Sequence, residues 1–313
     1  MCLSELNEPY FHQMKKPLYN LLFLGSTVLL LSACGEESKK KDSEESTPVE
    51  EEVQETQEWG FSSQGGNTYS VPSPNELFGI IKQSDLPYQE GLVSTDAVNY
   101  TSSKIQALNF GRLTADIAYT ASYEKFQESI NNFDNLRKVG DDLGISYVFD
   151  ELMVNRVKSN MDNADSLEVI SSSSYQRIIA QLEENEKGST LAIIAAGGFV
   201  ESIYILSAMI NEYDESNELV QRLADQKLVM ENVLDYLNLY SDEPRIQEVM
   251  QEMQPISDIF LNLDEESSSN QMKEEGDKVV LSGSRILITA DEFNDLKAAA
   301  TGYRNSFSNP NQG

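Results

Sequence analysis

Residues 190–210 read TLAIIAAGGFVESIYILSAMI, and the way this stretch is buried decides the fold. It carries one charged side chain, Glu201, close to its middle. Its length suits a membrane span, since ~20 apolar residues cross a hydrocarbon core. A carboxylate at mid-depth and the Gly197-Gly198 pair argue against lipid exposure. A helix apolar on all sides at the centre of a bundle accounts for the same residues. The two glycines then let a neighbouring helix approach closely.

Outward from this stretch, apolar residues recur every three or four places, the period of a helix with one buried face. Upstream, Leu108 to Tyr123 is strongly apolar, and Phe126, Ile130, Phe133 and Leu136 continue the stripe until Gly140 or Gly144 ends it. Ser146 to Met161 and Asp165 to Glu184 read as two further helices. Downstream, Asn217 to Tyr240 and Arg245 to Leu263 repeat the pattern, and Pro255 is expected to kink or divide the second. Ser73-Pro74-Asn75-Glu76 has the order of a capping box for a helix ending near Ser84. Thr289 and Glu292 supply another, for a last helix reaching about Phe307. Between these lie an acidic, serine-rich loop, Asp264 to Gly276, and a strand-like segment, Val279 to Ile288, that predicts a short β-hairpin. Long helices on short loops predict an all-α, antiparallel multi-helix bundle over 73–307, with 308–313 as a flexible tail. No 34-residue repeat appears, which argues against tetratricopeptide stacking.

Residues 1–72 have a different character. Lys15 and Lys16 precede an apolar run, Leu21 to Leu31, interrupted only by Gly25, Ser26 and Thr27. Ser32, Ala33 and Cys34 follow. Positive charge, an apolar segment too short to span, small residues and a cysteine in that order predict a signal peptide over 1–33. Leu31-Ser32-Ala33-Cys34 resembles the lipobox of bacterial lipoproteins, which implies cleavage before Cys34 and lipidation of that residue. Glu5 and Glu8 fit a positive n-region poorly, so Met14 competes with Met1 as the start. Residues 34–72 are mostly Glu, Lys, Ser, Thr and Gln, and a segment so poor in apolar surface is expected to be a disordered acidic tether. Glu36 and Glu37 look like the acidic export signals of surface lipoproteins, and a plain polar linker explains them equally well.

Charge and composition then narrow the chemistry. The formal net charge is −29, and residues 1–33 contribute nothing to it, because Lys15 and Lys16 cancel Glu5 and Glu8. So acidic a body repels nucleic acid and anionic headgroups, and no nucleic-acid partner is expected. The one histidine, His12, and one of the two cysteines, Cys2, precede the expected cut. A chain starting at Cys34 therefore lacks a Ser-His-Asp triad, a Cys-His pair, the usual zinc ligands and an internal disulfide. No cofactor and no metal site is expected. Asp162 to Ser166 has some look of a calcium loop, but Leu167 and Ser173 stand where its glycine and glutamate belong. An N-cap turn fits better.

The remaining candidates are charges inside apolar helices. Arg112 and Asp116 stand four residues apart and pair along one face if helical. Glu201 raises the same need for a partner, because an unpaired buried charge is very costly. Tyr119, Tyr123 and Tyr204 are candidate hydrogen-bond partners. Two readings follow. One is a ligand pocket lined by Arg112, Asp116, Tyr119, Glu201 and Tyr204; the other is a satisfied internal network that fixes helix register.

The lipobox, the acidic tether, Leu113-Thr114-Ala115-Asp116-Ile117-Ala118-Tyr119, Leu143-Gly144-Ile145 and Gly197-Gly198-Phe199-Val200-Glu201 together resemble a family of helical lipoproteins of the Bacteroidetes. The resemblance covers most of the chain beyond Cys34 and implies a helical fold and an envelope habitat, without an activity. The expectation is a non-enzymatic protein, anchored in the cell envelope at the outer membrane on its periplasmic or surface face, that serves protein–protein contact or scaffolding. Its partners would be the membrane, through the N-terminal lipid, and an envelope protein. A small-molecule or peptide binding module is the second reading. An enzyme using Asp116 and Glu201 as an acid–base pair is the third.

Overall fold

The computed structural model describes residues 61–62, 68–69, 74–84, 86–95, 99–160, 163–267, 273–275, 278–280 and 284–309. The signal segment, Cys34, most of the acidic tether, Ser73 and residues 310–313 lie outside them; within the segment expected to be a disordered tether, Phe61–Ser62 and Thr68–Tyr69 pair as antiparallel strands. Among the described residues the chain is all-α, with short antiparallel strand pairs at its margins. The elements run β1 (Phe61–Ser62), β2 (Thr68–Tyr69), α1 (Pro74–Gln83), α2 (Ser103–Ser122), α3 (Phe126–Asp142), a 3₁₀ turn (Ser146–Val148), α4 (Glu151–Ser159), α5 (Ala164–Glu184), α6 (Gly188–Met209), α7 (Glu218–Asn238), α8 (Pro244–Asn262), β3 (Glu265–Ser267), β4 (Lys273–Glu275), β5 (Lys278–Val280), β6 (Ser284–Ile286) and α9 (Ala290–Ser308).

Local chemistry sets most of these limits. Side chains of Ser102, Asp150, Asn163 and Asn217 accept hydrogen bonds from the first free N–H groups of α2, α4, α5 and α7. Asn163 thus caps a helix where the sequence faintly resembled a calcium loop. Thr289 and Glu292 form the expected capping box on α9. Glu124, at φ +57°, turns the chain between α2 and α3, so the apolar stripe from Leu108 to Leu136 belongs to two helices. Gly144, at φ +68°, follows the end of α3, whereas Gly140 lies inside that helix against the ring of Phe149.

Two elements differ from the sequence pattern. The helix expected over Ser146 to Met161 is a 3₁₀ turn followed by a shorter helix, because Asp150 caps α4 and breaks the run. Pro255 neither ends nor divides α8. Both Pro255 and Gln251, whose carbonyl loses its partner to the proline, are exposed, so water can satisfy that oxygen. The strand-like segment holds β5 and β6, which do not pair with each other. β5 pairs with β4 and β6 with β3, and both partners come from the acidic loop.

Helix α6 is the axle of the bundle. It is the one described helix long and apolar enough to cross a membrane, and most of it is buried by α2, α5, α7, α8 and α9. Short loops join α2 to α3, α5 to α6 and α7 to α8. The central pair, α2 and α6, runs in the same direction. Ser103 and Ser189, at their starts, both receive hydrogen bonds from Arg245. Toward their ends, Gln89 bonds both the Tyr119 hydroxyl and the Ala208 carbonyl.

Glycine makes that central contact. A Cβ on Gly111 of α2 would stand 1.9 Å from the carbonyl oxygen of Ile194, and one on Gly197 of α6 would stand 2.1 Å from that of Leu108. The two backbones therefore touch along this seam, and no larger residue fits at either place. Leu108, Leu191, Ile193, Val200, Ile203 and Phe199 are all at most 1% exposed around it. Each such side chain contributes about 1.5–3 kcal/mol by leaving water.

Candidate functional site

Because the glycines draw α2 and α6 together, the charged residues one turn further on are forced into the same dry volume. Asp116 and Glu201 are both 0% exposed and Arg112 is 4% exposed. Arg112 donates from Nη1 to Asp116 Oδ2 at 2.5 Å and from Nε to Asn109 Oδ1 at 2.9 Å. Asn109 in turn donates to the carbonyls of Ile105 at 2.9 Å and Phe307 at 2.8 Å, tying the cluster to the end of α9. From α9, Arg304 grips Glu201 with two bonds, Nε to Oε2 at 3.0 Å and Nη2 to Oε1 at 3.3 Å. Such a fork is the strong form of the arginine–carboxylate bond. The guanidinium of Arg304 also lies 4.6 Å from the ring centre of Tyr204.

Burial shapes the protonation of the group. Loss of water pushes the Asp116 carboxyl well above the usual carboxylate range; Arg112 opposes this and Glu201 adds to it. Burial also raises the Tyr100 and Tyr204 hydroxyls. The arginines respond the other way. Desolvation opposes their charge, but the neighbouring carboxylates outweigh it and hold Arg112 and Arg304 above the ordinary arginine value. Asp116 Oδ1 is left buried with no donor directed at it.

Of the five residues singled out in the sequence, four come together here: Arg112, Asp116, Glu201 and Tyr204. Tyr119 does not. Its hydroxyl accepts from the Gln89 backbone N–H at 2.9 Å, and its ring stacks on Tyr88 at 5.3 Å and meets Tyr123 edge-on at 5.3 Å. Tyr123 donates to the Leu86 carbonyl at 2.8 Å, and Tyr88 donates to Glu128. This tyrosine group straps residues 86–89 onto α2. Burial raises the Tyr123 hydroxyl to about 12.

Arg304, Asn109 and Tyr100 belong to the cluster and were not among the sequence candidates. Arg304 had a readable signal. It lies four residues after Ala300 and three before Phe307, on the apolar face of α9. Tyr100 lies within hydrogen-bonding reach of Arg112.

The cluster is closed to solvent at its carboxylates. Two surface depressions lie elsewhere, one of about 110 Å³ beside Ile80, Gln83, Leu219 and Arg222, the other of about 20 Å³ beside Val220, Arg285 and Ile288. Neither is lined by a cluster residue, and both fall below the ~300 Å³ at which ligand pockets begin. Among the described residues, no three His, Cys, Asp or Glu side chains gather as a metal site. Compared with family models, curated proteins and solved structures, the chain matches none.

Proposed function

We propose that this protein is a lipid-anchored component of a bacterial cell envelope whose helical bundle works as a non-enzymatic interaction or scaffolding module. The observation that carries the reading is Leu31-Ser32-Ala33-Cys34 behind its apolar run. Lipid on Cys34 holds the chain at a membrane, and the acidic segment behind it acts as a spacer. The likeness to helical lipoproteins of the Bacteroidetes agrees with an outer-membrane address.

The interior supports a non-catalytic role. An acid–base pair must reach its substrate, and Asp116 and Glu201 are enclosed and bonded to arginines. Work at the surface then falls to an acidic exterior, with Val169, Leu228 and Leu261 as large apolar side chains in solvent on α5, α7 and α8. A basic envelope partner suits such a surface.

In-cell crosslinking followed by mass spectrometry tests the reading, with Cys34→Ala as control. The expected result is a recurring envelope partner that disappears, together with membrane attachment, in Cys34→Ala. Unchanged membrane attachment in that variant overturns the anchor, and the absence of any recurring partner overturns the scaffold.

A further inference from the structure

The interior cluster holds one more carboxyl oxygen than its donors reach. Asp116 Oδ2 accepts from Arg112, and both Glu201 oxygens accept from Arg304. Asp116 Oδ1 has no donor, although the residue is wholly buried. A bare carboxylate oxygen in a dry interior costs several kcal/mol. The Glu201 carboxyl is also a charged and hydrogen-bonding neighbour of the Asp116 carboxyl and raises it further. Two carboxylates in contact cannot both hold full charge cheaply.

By count, Arg112 and Arg304 balance two negative charges. Count does not decide the matter, because neither arginine directs an N–H at Oδ1. Arg112 spends its Nε on Asn109, and Arg304 spends its fork on Glu201. Every charged or titratable group facing the pair is accounted for: Arg112 from α2, Tyr100 ahead of α2, Tyr204 beside Glu201 on α6, and Arg304 from α9. Neither tyrosine hydroxyl is placed to donate to Oδ1, which has no partner, and a proton on one carboxyl satisfies it.

We infer that Asp116 and Glu201 form a proton-sharing carboxyl pair, with Asp116 as the acid that donates from Oδ1 to the Glu201 carboxylate, so that a bound proton joins α2 to α6 at the centre of the bundle. The raised pKa of Asp116 agrees with this assignment. A sign follows. An acid whose folded pKa is raised binds its proton more tightly in the fold than in the unfolded chain. Its contribution is therefore full at low pH, and is lost as pH rises from about 4 toward the folded value. The remaining acidic groups, with a formal charge of −29, give a slope of the same sign by mutual repulsion. A difference between variants removes that background.

Asp116→Asn copies the acid, since its amide N–H₂ donates where the O–H did and its carbonyl still accepts from Arg112. The experiment follows thermal unfolding of the wild type and Asp116→Asn from about pH 5 to pH 8, with an infrared spectrum of the wild type at neutral pH. The expected result is a Tm difference between the two proteins that moves in favour of Asp116→Asn by ~5–10 °C across the range. The wild-type spectrum should contain the C=O stretch of a protonated, non-exchanging carboxyl. A parallel pH dependence in the two proteins, or a wild-type spectrum without that band, overturns the inference. The infrared measurement stands even if the variant fails to fold.

Discussion

The Glu201–Arg304 pair and the Lys104–Glu248–Glu252 group both join helices far apart in sequence, α6 to α9 and α2 to α8. Lys104 meets each glutamate at 2.8 Å, closer than Arg304 comes to Glu201 at 3.0 and 3.3 Å. Yet the Glu248 and Glu252 side chains are 58% and 41% exposed, while that of Glu201 is 0% exposed. At the rim, water screens the attraction and takes over either partner when the other is removed. At the centre no water can do so, and a lost partner leaves a buried charge. The shorter contacts are therefore the weaker ones, and solvent access sets the ranking.

The largest effect should follow Glu201→Ala, which strands Arg304 and removes the acceptor beside Asp116. A loss of about 3–5 kcal/mol is expected in denaturant unfolding. Gly111→Ala comes next, at about 1–3 kcal/mol or somewhat more. The added methyl meets the Ile194 carbonyl, so the helices themselves must part. Asp116→Asn should cost less than ~1.5 kcal/mol near neutral pH, because every hydrogen bond of the acid survives. If it costs as much as Glu201→Ala, the distinction drawn between the two carboxyls fails. Lys104→Ala should be smallest, within about 1 kcal/mol, and salt should erase most of it. A rim variant as damaging as a central one would dissolve the comparison.

The bundle was legible because its signals are local. Asn217 and Thr289 announce helix starts within a turn, and the all-round apolarity of residues 190–210 marks an axle rather than a flank. Arg112 and Asp116 were legible as a pair for the same reason, being one turn apart. The clasp from Arg304 was not, since 103 residues separate it from Glu201 and only the docking of α9 on α6 joins them. Tyr119 was placed in the cluster because α2 is buried on nearly every side. On such a helix, spacing along the sequence no longer selects which neighbour a side chain meets. The 3₁₀ turn at Ser146–Val148 escaped for another reason, as Asp150 caps a helix inside a stretch whose apolar spacing looks continuous.

Glu201 and Arg304 act as one buried unit, and a double-mutant cycle measures that directly. Denaturant unfolding of the wild type, Glu201→Met, Arg304→Met and the double variant gives the coupling. The expected coupling is about 2–3 kcal/mol, with the double variant less damaged than the sum of the singles because no charge is left stranded. Additivity within ~0.5 kcal/mol would mean that the two side chains stabilise the bundle independently, and the clasp at its centre would have to be abandoned.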